Sequence, residues 1–345
     1  MTALILDAHL ASALAAVRSL GRRGVTIIAG GERKTAMSFY SKYCQRSFIY
    51  PNPLKDPAGF VKKVTAIAKQ SGQPVIYSFS DNTFLPWARA QGSAAGVEIA
   101  FDKKKTLELA ESLAIPVPKI LKEPAPSDFP VAIKPRHNCS WLKGPATFET
   151  TVFAHSPAEL KKKKEAIWQR TGEEPIVQEY VKGEERGLFF LLDQGRPLAV
   201  FAHRRLRSIS ASGGASSLRE SISPPPDLKA YSLKLMASLK WHGPAMVEFK
   251  GDKLMEINGR FWGSLPLAIF AGVDFPWLYY QLVTGRKVEA ASQYRIGIKS
   301  RHLLADVRNF WRWPWGRNLY YDVFSWDDPQ PFFREFIDVL IRKWK

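Results

Sequence analysis

Over the first hundred residues, short apolar runs alternate with stretches of helical spacing. Residues 3–6, 25–29 and 75–78 read as buried strands, and 12–20 and 60–70 as helices, a pattern that predicts βαβ units on a parallel sheet. Gly21 and Gly24 punctuate the end of the first helix. The turn after the first strand carries Asp7-Ala8-His9 instead of Gly-x-Gly-x-x-Gly, so no dinucleotide fingerprint stands there.

A second unit opens near residue 101. Asp102 is placed to cap a helix running through Ser112, which Pro116 and Pro118 stop. Strand-like runs follow at 131–134, 176–181, 188–192, 198–202, 245–249 and 254–257, with helices at 157–170 and 227–239. The chain therefore reads as α/β followed by α+β, with boundaries near 100 and 285. From 286 onward the texture is basic and aromatic: Trp311, Trp313, Trp315, Trp326 and Trp344 are five of the eleven tryptophans.

Composition narrows the function classes. Fifty Lys and Arg against 32 Asp and Glu give a net charge of +18, which favours anionic partners such as nucleotides or an acidic membrane surface. The lysine runs at 103–105 and 161–164 read as solvated helix faces, with Lys103 set apart. Cys44 and Cys139 match no metal spacing, and no disulfide is expected, which points to a reducing cytoplasmic compartment. The N-terminal apolar run is too short for a signal segment, and no stretch reaches the roughly 18 apolar residues needed to cross a bilayer. No nucleic-acid reader module is present, so no nucleic-acid partner is expected. The segment 309–315 suits contact with the inner face of an anionic membrane, or packing of its aromatics on the core.

The chemistry gathers in three places. The runs 245–249 and 254–258 flank Lys250-Gly251-Asp252-Lys253, a hairpin signal. A three-residue loop, 251–253, would set Lys250 against Leu254 and Glu248 opposite Glu256, with Asn258 and Arg260 on the face of Glu256. Opposed carboxylates repel. Two carboxylates and an amide oxygen form a hard set suited to Mg²⁺, although an exposed acidic hairpin fits the same residues. A two-residue loop would separate the two glutamates. Lys134 ends an apolar strand before Pro135, placed either to meet phosphate or to snorkel. Residues 176–185 run from an apolar strand into a glycine turn, offering backbone groups to a base edge and carboxylates to ribose hydroxyls.

In their order and spacing, these segments resemble the ATP-grasp superfamily, particularly bacterial carboxylate–amine ligases similar to the large chain of carbamoyl-phosphate synthase. The resemblance covers about 100–285 and implies a pre-ATP-grasp domain over 1–100, an ATP-grasp domain with lobes of about 101–177 and 178–285, and a C-terminal extension over 286–345. It implies ATP and Mg²⁺, or Mn²⁺ in its place. Lys103 and Lys134 take the phosphate-binding places. Gln178 and the backbones of Glu179 and Val181 take the base, and Glu185 the ribose. Glu256-Ile257-Asn258-Gly259-Arg260 looks like the family's Glu-x-Asn-x-Arg metal motif, with Glu248 as the upstream acid. Arg204 and Arg207, before the glycine- and serine-rich stretch 210–217, take the place of triphosphate-side arginines, and Arg260 that of a contact to the acceptor carboxylate or the acyl phosphate. The family's flexible glycine-rich loop is replaced by Arg136-His137-Asn138-Cys139-Ser140-Trp141-Leu142-Lys143, and proline after the motif asparagine by Gly259.

The implied reaction activates a carboxylate as an acyl phosphate for attack by an amine. Phosphoryl transfer or ligation to a non-amine acceptor on the same fold, and a catalytically degenerate basic ATP-binding module, are the competing readings. Substrate identity and oligomeric state are not encoded legibly.

Overall fold

The computed structural model describes residues 2–210, 213–289, 293–306 and 318–343. The first of its sheets contains β1 (Thr2–Ile5), β2 (Thr26–Gly31), β3 (Arg46–Ile49) and β4 (Val75–Tyr77), ordered β3-β2-β1-β4 with all pairings parallel. Helices α1 (Ala11–Gly21) and α2 (Pro57–Gln70) cover opposite faces: Ala3, Ile5 and Ile27 meet α1, while Leu4, Ile28 and Phe48 meet Phe60 and Val64 of α2. Burial on both faces explains why these strands read as continuous apolar runs. Helices α3 (Asp81–Ala90), α4 (Ala95–Ala100) and α5 (Lys103–Ser112) follow. Asp102 caps α5 as expected, accepting the Lys104 and Lys105 amides.

A three-stranded antiparallel sheet comprises β5 (Val131–Lys134), β6 (Val152–Ala154) and β7 (Ile176–Glu179), ordered β6-β5-β7. Val131, Ile133 and Val177 pack with Ile167 of α6 (Pro157–Thr171). The pairing of Ala132 with Gln178 and Lys134 with Ile176 places Lys134 and Gln178 together on the other face.

The largest sheet holds β8 (Glu185–Asp193), β9 (Arg196–Ser210), β10 (Gly213–Ser221), β11 (Gly243–Lys250), β12 (Lys253–Asn258), β13 (Lys299–Arg301) and β14 (Leu319–Tyr321), ordered β12-β11-β8-β9-β10-β13-β14. One face packs Leu188, Phe190, Ala245 and Val247 against α7 (Pro226–Ser238). The other packs Phe189, Leu191, Phe201 and Met246 with Trp262, α8 (Leu265–Ala271), α9 (Phe275–Val283) and α1, so this sheet and the N-terminal sheet share one core. The final helix is α10 (Gln330–Lys343).

One sequence expectation changes. The stretch 210–217, read as a glycine loop, enters β10 at Gly213 and pairs with β9; positions 211 and 212 lie outside the described residues. The region after 286 contributes β13 and β14 to one end of the large sheet. The aromatic segment 309–315 lies outside the described residues. Among those described, no helix is long and apolar enough to cross a membrane.

Candidate active site

The acidic hairpin reaches the expected pairing by a different route. Lys250 pairs with Lys253 and Phe249 with Leu254, so the loop has two residues, Gly251 and Asp252, and Lys250 does not face Leu254. An irregularity between Glu248 and Phe249 leaves Met255 as the extra residue of a bulge, after which Glu248 pairs with Glu256, Val247 with Ile257 and Met246 with Asn258. The bulge sends Leu254 into the core beside Phe249 and turns Glu256 to the opposite face, toward Glu248. Burial first, and the neighbouring Glu256 second, raise the Glu248 carboxyl to about 7.

The small sheet and α5 bring cations to these carboxylates. Lys103, 7% exposed at the start of α5, has its Nζ 3.6 Å from Glu256 Oε2. Lys134 is 5% exposed. Burial lowers its ammonium to about 8, helped by Lys103 and Lys250 and opposed by Glu256 and Glu248. Snorkelling is therefore not its role: the side chain is buried and faces the acidic pair.

A closed ring of polar contacts joins these residues across all three sheets' neighbourhoods. Lys103 Nζ donates to Asn138 Oδ1 at 2.5 Å, and Asn138 Nδ2 donates to Asp81 Oδ2 at 2.8 Å. Arg260 Nε donates to Asp81 Oδ1 at 2.7 Å and its Nη2 to Asn258 Oδ1 at 3.0 Å. Asn258 Nδ2 then meets Glu256 Oε1 at 3.2 Å, and Glu256 returns to Lys103. Burial alone would raise the Asp81 carboxyl, but Arg260, Asn138 and Lys103 outweigh it and hold it below the usual range. Asp81 and Asn138 were not singled out from sequence.

The remaining candidates divide. Gln178 is fully buried, and neither amide atom has a hydrogen-bond partner among the described residues. Leaving such groups unpaired costs about 1–3 kcal/mol each, so the residue is set for a partner absent from the protein itself. The Glu179 amide donates to Lys119 O at 3.0 Å, while its carboxylate accepts the Lys119 amide and pairs with Lys253. Its N–H is thus committed. Val181 follows in the partly exposed hinge. Gly183, at φ 137°, leaves room only for hydrogen where Gly251 N lies 2.9 Å from a would-be Cβ, which lets the hinge turn sit on the hairpin turn. Glu185 pairs with Arg205 and with Lys250 at 3.5 Å.

Strand alternation decides among the arginines. Arg204 lies on the face opposite the acidic pair, bonded to Glu220 at 2.8 Å and Glu184 at 3.3 Å, so the structure does not bring it to the cluster. Arg205, passed over from sequence, acts with its charge on Glu248, as Arg260 also does, and pairs with Glu185. Arg207 is engaged with buried Asp306 at 3.1 Å. Arg260 is gripped by Asp81, Asn258 and the Phe261 carbonyl.

Two departures from the family pattern have physical causes. A Cβ on Gly259 would stand 2.3 Å from the Trp241 ring, so neither proline nor alanine fits. The 136–149 segment is tied down by Arg136 to Asp102 at 2.6 Å, His137 to Glu173 at 2.7 Å, Trp141 Nε1 to Pro53 O at 3.2 Å and the Ala146 amide to Leu54 O at 2.7 Å.

The donor set fits Mg²⁺. Glu248, Glu256 and Asn258 Oδ1 supply hard oxygens on one face, and two crowded carboxylates gain from a cation between them. Among the described residues no group of three or more His, Cys, Asp or Glu is placed to hold a metal ion.

Residues 171–304 match the family described as ATP-grasp in the biosynthetic pathway with Ter operon. No curated protein matches the chain in sequence. Among solved structures, the biotin carboxylase domain of 2-oxoglutarate carboxylase from Hydrogenobacter thermophilus is similar at 15% identity and TM-score 0.64, over 86% of this chain and 73% of that one. L-amino acid ligase from Bacillus licheniformis is similar at 15% identity and TM-score 0.60, over 81% and 73%. N5-carboxyaminoimidazole synthetase from Staphylococcus aureus is similar at 13% identity and TM-score 0.57, over 86% and 80%. Over 171–304 the chain thus matches an ATP-grasp family, and its fold is the ATP-grasp fold.

Proposed function

We propose that this protein is an ATP- and Mg²⁺-dependent ligase that activates a small-molecule carboxylate as an acyl phosphate and joins it to an amine, releasing ADP and phosphate. The observation that carries the reading is the convergence of Lys103, from α5, and Lys134, from the small sheet, on the hairpin of Glu248, Glu256 and Asn258. The biotin carboxylase domain named above was solved with MgADP and bicarbonate, and another relative is an L-amino acid ligase, which supports the same class here.

Residues 1–100 would form the pre-ATP-grasp domain and 101–285 the nucleotide-binding lobes. When bound, Mg²⁺-ATP supplies an electrophilic phosphoryl group that turns the carboxylate oxygen into a leaving group. Lys103 and Lys134 hold phosphate oxygens in a site sheltered from water, where such contacts are strong. Glu248, Glu256 and Asn258 hold the metal. Gln178 and the backbones of Glu179 and Val181 take the base, and Glu185 the ribose. Arg260, fixed beside Asn258, presents positive charge to the reacting carboxylate, while Arg205 replaces Arg204 on the triphosphate side. The amine nitrogen attacks the acyl carbon, and phosphate leaves.

Screening acids with and without amines for Mg²⁺-dependent release of ADP and phosphate tests the assignment. Glu256→Gln should lower turnover by roughly two orders of magnitude or more. Wild-type turnover by that variant would remove the metal assignment. Phosphate retained in the product would replace ligation by phosphoryl transfer.

A further inference from the structure

Helix α10 presents two different faces. Phe332 turns inward, packing on the cluster of Ala11, Leu14, Met37 and Val323, and Glu335 lies 3.3 Å from His302 Nε2. On the outward side, Phe333, Phe336, Ile337, Leu340 and Ile341 are exposed by 57, 44, 43, 43 and 49%. Their positions follow i, i+3, i+4, i+7 and i+8, one continuous stripe. The patch continues through ring contacts from Phe333 to Phe332 at 5.9 Å, Phe332 to Phe324 at 5.4 Å and Phe324 to Trp326 at 4.8 Å, ending in a tryptophan that is 89% exposed. Scattered surface hydrophobes are ordinary, but a contiguous apolar stripe marks contact with something.

The surrounding charge says with what. The acids of α10 are turned away or neutralised: Glu335 faces His302, and Asp338 pairs with Arg334, whose guanidinium also stands 5.6 Å from the Tyr40 ring. Arg33, exposed, lines a cavity of about 210 Å³ with Glu32, Glu335, Asp338 and Val339, and exposed Lys34 follows it. The chain as a whole carries a net charge of +18. Such a charge repels a second copy and attracts an anionic lipid leaflet. A 14-residue helix is too short to span a bilayer but long enough to lie in its surface.

We propose that the outward face of α10, with Trp326 at its edge, docks the protein on an anionic lipid surface, the stripe of Phe333, Phe336, Ile337, Leu340 and Ile341 inserting among the headgroups. This inference stands independently of the ligase reading.

The full chain is sedimented with phosphatidylcholine vesicles prepared with and without phosphatidylglycerol. It should bind the anionic vesicles, release as salt is raised and ignore the neutral ones. Combining F336S, I337S and L340S, all exposed positions, should weaken binding by roughly tenfold or more with an unchanged circular dichroism spectrum. Absence of vesicle binding, or binding unchanged by the triple substitution, would overturn the proposal. So would a dimer in light scattering that the same substitutions dissolve without any vesicle binding, which would assign the face to a second copy.

Discussion

Replacing Asp81 by alanine probes the ring most directly. Asp81 is 3% exposed and accepts hydrogen bonds from Arg260 at 2.7 Å and Asn138 at 2.8 Å. Its removal leaves Arg260, whose side chain is 14% exposed, without its main countercharge. Breaking a buried pair from one side costs about 3–5 kcal/mol, a large fraction of a typical total of roughly 5–15 kcal/mol. Chemical denaturation followed by circular dichroism should show that loss. Removing Arg260 as well, in D81A/R260M, should recover much of it, because the stranded charge has gone. The Asp81 carboxyl is held below its usual range. Its contribution is therefore complete above the unfolded value of about 3.9 and disappears as pH falls through the lower folded value, so the wild type and Asp81→Ala should converge in stability toward strongly acidic pH. A loss under about 1 kcal/mol near neutrality, or a double variant no better than D81A, would refute the account of the ring.

Other outcomes follow from the same geometry. Because burial lowers Lys134 to about 8, ATP affinity by calorimetry should fall as pH rises past that value, by up to about tenfold per unit, since phosphate then meets a neutral amine. Lys134→Arg should flatten this dependence; an equally steep profile in the variant would assign the proton elsewhere. Gly259→Ala should lower stability by about 1–3 kcal/mol, since the new methyl would lie 2.3 Å from the Trp241 ring; an unchanged melting midpoint would show that Trp241 yields freely.

The parts of the fold written in local periodicity were legible in the sequence. The parallel strands near 3–6, 25–29 and 75–78, the helix capped by Asp102 and the strand ending in Lys134 could be read because burial on both faces, a capping carboxylate and a strand-end proline leave local marks. Short strands such as β3, β6, β13 and β14 leave little trace in so few residues. Asp81 and Asn138 were invisible for another reason: their partners lie 179 and 35 residues away, and nothing in the local sequence of either hints at the contact. The choice between Arg204 and Arg205 depended on strand phase, which a run of three arginines at 204, 205 and 207 does not fix.

The acidic hairpin shows how a correct pairing can rest on a different backbone. A three-residue loop and a two-residue loop followed by a one-residue bulge shift the strands by the same amount, so both set Glu248 against Glu256. They differ in what happens to the residues between. With the bulge at Met255, Leu254 stays with Phe249 in the core, and its amide donates to Pro116 O at 2.8 Å, anchoring the strand to the segment after α5. Glu256 can then turn to the cleft without drawing an apolar neighbour after it. A regular strand would put Leu254 on the same face as Glu256, exposing a leucine to the charged site or burying a carboxylate in the core, and either choice is costly. The bulge lets one short strand hold both a core residue and an acid of the polar cluster two positions apart.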